Sequence, residues 1–343
     1  MSPQDLRTLR RFLAAMLLLA CAVLGVSAVQ EEMYEQDLTA QARLFPGIGP
    51  GVRAIRRDVV GRYYILTAPG TAISIYGADG RQLGQIPSNS RRETGIADAV
   101  DFDVDSKGRV YVADAGGNAV EMYSSDGKLS AKVPVASPRS VAALSEGQFA
   151  VATPDSKHLI ELFDANGRKL REFGDPTHVA ERVSLNELVN SGRLRSDSDN
   201  GIYYGFTYFP EPTVRRYDAL GTLSIEMSLT AIEYGPAAQA ARREISRQDE
   251  RTSPPSLKPV ISAFGVDPRN QGVWIALGDQ LVELDKDGDR RGVYRTYTKE
   301  GARVAPVSIV AEAARLLVAA DPSGIYEFAY LKHAADAVSP SKL

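Results

Sequence analysis

Cysteine occurs once in the 343 residues, at Cys21, and histidine three times, at His158, His178 and His333. One thiol excludes an intrachain disulfide and a thiolate metal cluster. Three histidines could form a single zinc centre only by converging from distant positions. His178 falls in an insertion and His333 beyond the last expected strand, so all three read as surface residues. No Gly-x-Ser-x-Gly nucleophile turn and no glycine-rich phosphate loop ending in lysine is present. An excess of one charge is also lacking: 40 Lys and Arg face 43 Asp and Glu, and the net value of −3 does not make the chain as a whole a binder of polyanions.

What is present begins with a targeting signature. Arg7, Arg10 and Arg11 flank an apolar run from Phe12 to Val26, and Val26-Ser27-Ala28 has the small-residue pattern of a signal-peptidase site. Residues 1–28 are therefore read as a signal peptide or an N-terminal membrane anchor. Three fates stay open: cleavage after Ala28, lipidation at Cys21 within Leu18-Leu19-Ala20-Cys21, or retention of residues 12–29 as a span. Each exports the body, to the periplasm or the extracellular space, or tethers it to the inner membrane. Cleavage removes three arginines and one aspartate, and −3 becomes −5. Residues 29–41 read as a linker.

From Ala42 onward short apolar-alternating segments are punctuated by turns. Residues 95–129, GIADAVDFDVDSKGRVYVADAGGNAVEMYSSDGKL, hold three strands reversed at SKG, AGGN and SDG. Turns at Asp79-Gly80, Asp126-Gly127, Asn166-Gly167, Leu220-Gly221 and Asp287-Gly288 are spaced 47, 40, 54 and 67 residues apart. A four-stranded unit of about 40–50 residues is the period of a propeller blade. The expected fold is all-β: a six-bladed β-propeller over 42–331. The sixth unit has only three strands, and Ala42–Phe45 are expected to supply the fourth and close the ring. Residues 332–343 read as a flexible tail.

Residues 102–129 resemble an NHL repeat, the unit of one group of six-bladed propellers. The matching features are the DSKGRVYVAD strand pair, Asn118 in the following turn, and the hairpin from Tyr123 to Gly127. The resemblance specifies a fold better than a function, since such repeats are found in amidating lyases, lactonase-like enzymes and binding platforms without chemistry.

Two aspartate triplets, 101/103/105 and 285/287/289, alternate along the chain. A calcium loop needs glycine at its sixth position and glutamate at its twelfth. Those positions are Ser106 and Val112 from the first triplet, and Arg290 and Thr296 from the second. Ligand spacing thus supports neither calcium nor zinc, no cofactor is predicted, and the aspartates read as hairpin-turn residues.

The two longest spacings come from insertions, 176–191 between blades 3 and 4 and 230–260 between blades 4 and 5. Both have helical patterning, and the second opens Gly235-Pro236-Ala237. Both join an outer strand to the next inner strand, so both fall on one face of the ring. That face is expected to gather Asp114, Asn118, Arg139, His158, Arg243 and Arg247 as binding residues, with arginines meeting an acidic ligand or partner. The reading favours a monomeric, non-catalytic platform for a protein or small molecule, without nucleic acid. The alternative is a propeller lyase or lactonase-like hydrolase with a metal near the central channel.

Overall fold

The computed structural model describes residues 35–88, 95–154, 156–230, 234–312, 315–320 and 324–329. The expected signal or anchor, residues 1–28, and the tail from 332 lie outside these residues. Among the described residues no helix is long and apolar enough to cross a membrane.

Strands β1 (Gln36–Thr39) and β2 (Ala42–Leu44) precede the repeats. Blade 1 is β3 to β6 (Val52–Arg57, Tyr63–Thr67, Ile73–Tyr76, Gln82–Ile86), and blade 2 is β7 to β10 (Ala99–Val104, Val110–Asp114, Ala119–Tyr123, Leu129–Pro134). Blade 3 is β11 to β14 (Ser140–Ala143, Phe149–Ala152, Ile160–Phe163, Lys169–Phe173). Blade 4 is β15 to β18 (Gly192–Ser196, Ile202–Phe206, Thr213–Tyr217, Leu223–Ser228). Blade 5 is β19 to β22 (Ala263–Val266, Val273–Leu277, Gln280–Leu284, Arg290–Tyr297), and blade 6 is β23 to β25 (Pro306–Ala311, Arg315–Ala320, Gly324–Ala329). Six sheets form a ring, each an antiparallel meander from channel to rim. The fold is the six-bladed β-propeller that the repeats predict.

Closure is also as expected. β2 pairs antiparallel with β25, Ala42 opposite Glu327 and Leu44 opposite Ile325, and completes blade 6. One boundary is corrected. The stretch 29–41 is not wholly a linker, because β1 adds to β22 as a parallel fifth strand of blade 5. β22 runs for eight residues, longer than any other outer strand, and leaves an edge to pair. Only Leu38 of β1 turns inward, which is why its pattern looked polar.

Alternation explains how the ring holds. In β8, Val110 and Val112 pack toward blade 1, while Tyr111 and Ala113 pack toward blade 3. Each blade buries both faces, and one apolar cluster fills each junction between neighbours. Trp274, 3% exposed, lies in the junction between blades 5 and 6, stacked on Tyr294 at 5.6 Å.

The first turn of several blades repeats one polar device. Asp105 accepts the amides of Lys107 and Arg109, the Arg109 Nε and the Tyr111 hydroxyl. Asp58 does the same for Val60, Arg62 and Tyr64. Asp197 does it for Asp199, Gly201 and Tyr203. A buried carboxylate that satisfies two turn amides and a buried phenol fixes the hairpin register. Asp285 likewise accepts the amides of Asp287 and Asp289 in the last turn of blade 5. The turn reading therefore holds for Asp105 and Asp285. Asp101 and Asp103 instead lie within β7.

Candidate functional site

Connections from outer to inner strands, and the turns between second and third strands, emerge on one face of the ring. That face carries helix α1 (Val183–Asn190) and helix α2 (Gly235–Asp249). Their ends hold each other. The Asp249 carboxylate accepts the amides of Glu181 and Arg182 at the start of α1, at 2.9 and 2.8 Å. Those two amide bonds keep its pKa below the usual aspartate value. Arg182 in turn donates to the carbonyls of Gln248 and Arg251 at the end of α2. Each terminus thus receives the charge that its unpaired backbone groups favour. Ala180, Leu185, Val189 and Ile245 form a small apolar core beneath the pair.

A cavity of about 790 Å³ lies along α2, between that helix, segment 256–260 and the second-to-third turns of blades 4 and 5. This volume is in the range of small-molecule sites. Its apolar lining includes Tyr208, Pro210, Tyr234, Ile245, Leu257 and Pro259, and its charged groups are Glu244, Arg247 and Lys258. Arg247 also pairs with Glu244. The cleft offers an apolar wall with cations at its margin.

The six residues expected on this face do not meet at one place. Arg247 lines the α2 cleft, and Arg243 is exposed on the same helix without a partner among the described residues. Arg139 and His158 line a separate cavity of about 90 Å³ between blades 3 and 4. His158 Nδ1 lies 3.3 Å from Asp175. Asp114 is fully buried and accepts the amides of Ala97 and Asp98, at 3.1 and 2.7 Å. Asn118 sits at φ 47° and accepts the Ser137 amide at 3.0 Å. The last two hold turns in place. His178 faces Glu181, and His333 lies outside the described residues. Among the described residues no three His, Cys, Asp or Glu side chains are grouped to hold a metal.

The central channel carries a charged cluster that the sequence reading did not single out. Asp101, with its side chain 2% exposed, accepts Arg56 Nη2 at 2.5 Å, Ser140 Oγ at 2.5 Å and Arg195 Nη1 at 3.3 Å. Asp103 lies 3.6 Å from Arg56 Nε and accepts the amides of Ala143 and Val104. Arg193 reaches the Val307 carbonyl at 3.1 Å, joining blade 4 to blade 6. Ser308 Oγ accepts the Ile55 amide and an Arg56 Nη1 hydrogen. Burial raises the Asp101 pKa, but Arg56 and then Arg195 outweigh it, and the group stays below its ordinary value. For Asp103 burial wins over Arg56, and its pKa is raised. Burial, followed by repulsion from Arg56, brings Arg195 down to about 10. The available signal was positional: arginines and aspartates recur in the first strand of the repeats, where neighbours exclude water.

No protein-family model matches the chain, and no curated protein matches its sequence. Its fold is similar to solved propellers of unlike activity. Virginiamycin B lyase from Staphylococcus aureus aligns with a TM-score of 0.51 at 14% identity, over 86% of this chain and 89% of that one. The WD40 repeats of RRP9 align with a TM-score of 0.55 at 10% identity, over 86% and 99%. Hydrazine synthase of Kuenenia stuttgartiensis aligns with a TM-score of 0.52 at 12% identity, over 89% and 99%. Identities this low establish the class, a six-bladed β-propeller. The finer resemblance of residues 102–129 to NHL repeats has no sequence match among these comparisons.

Proposed function

We propose that this chain is an exported, non-catalytic, NHL-like binding platform whose ligand seats on the insertion-bearing face. The observation that carries the reading is the α2 cleft, since insertions on a rigid scaffold are where binding usually resides. Its tyrosines, prolines and aliphatic side chains suit an apolar body, and Arg247 and Lys258 suit an acidic group on it. The platform acts as a monomer, without nucleic acid, in the periplasm or beyond it, with residues 1–28 as the route there.

The test uses 8-anilinonaphthalene-1-sulfonate, an aromatic anion of that chemistry, with the full chain. One site per chain is expected. Ala241→Trp, which narrows the cleft beside α2, should weaken it at least about tenfold, and joint replacement of Arg243 and Arg247 by glutamate should weaken it about tenfold. Binding indifferent to both changes, with the fold intact by circular dichroism, would overturn the reading. A lyase or lactonase-like hydrolase requires a channel metal, and stoichiometric metal in gently purified protein would favour that alternative.

A further inference from the structure

The opposite face has its own opening. A cavity of about 490 Å³ descends the channel axis from the first turns of the blades to a floor of Arg56, Asp103 and Arg195, and all six blades line it. Its upper wall is partly apolar, with Val104, Leu144, Val266, Ile309, Val310 and Ala311.

The floor carries more positive than negative charge, with Arg56 and Arg195 against Asp103. Behind it Asp101 interacts with Arg56, Arg195 and Arg193, which leaves three guanidiniums to two carboxylates in the cluster as a whole. Burial raises the Asp103 pKa above its ordinary value. The carboxylates higher up do not reverse the excess of positive charge, because each is already paired. Asp58 binds Arg62 at 2.7 Å, Asp105 binds Arg109 at 2.7 Å, Asp197 binds Arg216 at 2.9 Å, and Glu312 binds Arg315 at 2.9 Å.

Arg195 is the less satisfied of the two arginines in the floor. Its side chain is 8% exposed, and its Nη1 donates to Asp101 and to the Leu194 carbonyl. Its Nε is buried without an acceptor, and among the described residues Nη2 has none either. Nε and Nη2 form the edge that binds a carboxylate through two parallel hydrogen bonds. The guanidinium carbon lies 5.4 Å from the Phe264 ring centroid, so the plane is held in place. A buried guanidinium with three of its five N–H donors unused is costly unless an anion completes it.

We propose that the channel mouth opposite the insertions binds a small carboxylate with a short apolar chain, its carboxylate at Arg195 and its chain against the aliphatic wall. The site differs from the α2 cleft in face, residues and ligand size, and does not depend on the reading above.

Calorimetric titration of the full chain with sodium hexanoate at low ionic strength tests it. One site is expected, with a dissociation constant of about 1 mM or tighter, and hexan-1-ol should bind at least about tenfold more weakly. Arg195→Met should abolish hexanoate binding. Because that change also removes a partner of Asp101, a second pair of variants is made at Val59, a 72% exposed residue lining the mouth. Val59→Glu should weaken and Val59→Lys strengthen binding, with the fold untouched, while Ala241→Trp in the other cleft should change nothing. The proposal is overturned if hexanoate does not bind at about 10 mM. It is also overturned if the alcohol binds equally, if the Val59 pair has no effect, or if Ala241→Trp removes the binding.

Discussion

Replacing Asp101 by asparagine removes one charge from the middle of the ring and leaves the shape almost unchanged. The carboxylate touches Arg56 at 2.5 Å and Arg195 at 3.3 Å, and all three side chains are at most 8% exposed. At a charge separation of about 4 Å and an effective dielectric near 20, each attraction is worth about 4 kcal/mol before desolvation is counted. Desolvation of the carboxylate offsets several kcal/mol, so the net loss should be about 3–5 kcal/mol, as for other broken buried pairs. Two guanidiniums would then repel each other with only Asp103, 3.6 Å from Arg56 Nε, as a counter-charge. With a urea slope of about 3 kcal/mol per M, the unfolding midpoint should fall by about 1–1.7 M. Urea titration followed by circular dichroism and by Trp274 emission reads that shift. Asp126→Asn, at the exposed Lys128 pair, is the control and should leave the midpoint in place. Replacing Arg56, Asp101 and Arg195 together by methionine, leucine and methionine should recover most of the loss. A loss below about 1 kcal/mol for Asp101→Asn, the value of a surface ion pair, would refute the view that this cluster is desolvated.

Trp274→Ala should cost about 3–5 kcal/mol, since it empties the junction between blades 5 and 6; native emission near that of free tryptophan would contradict the burial. Phe45 lies 5.4 Å from Tyr63 and 5.0 Å from Tyr76 at the closing seam. Deleting residues 35–46 removes it together with β1 and β2, and should lower the melting temperature of the whole ring; an unchanged melting curve would show that closure contributes nothing. Alkaline titration tests the buried phenols. Burial pushes Tyr64 up to about 12 and also raises Tyr111, Tyr123, Tyr203 and Tyr294. Above pH 10 the unfolded chain releases these protons first, so the folded state binds more of them and stability falls as pH rises from 10 to 12. Tyrosinate absorbance that appears gradually from pH 10, without unfolding, would mean the rings are exposed.

The blades were legible because each strand obeys a period of two and each hairpin carries its own turn residues. Gly80, Gly127, Gly167, Gly221 and Gly288 all have positive φ, which places each marker turn where the sequence does. The insertions were legible too: Pro236 opens α2, and α1 lies inside 176–191. β1 was not, because a parallel partner at the end of a long outer strand leaves a single inward residue as its trace. Asp114 and Asn118 stand at a turn where polar residues invite a binding role, and only their amide partners show that they are occupied.

Local pattern alone therefore determined the repeat, the number of blades, the closing strand and the face on which the insertions emerge. All of these follow from short-range alternation, turn chemistry and the order of strands. Tertiary structure alone decided which charged residues are buried. Arg56, Asp101 and Arg195 are 45 and 94 residues from one another along the pairs they make, and they meet only when blades 1, 2 and 4 close around one axis. Whether an arginine in a strand is solvated or sealed in a channel depends on the ring being complete, and no window of sequence contains the ring.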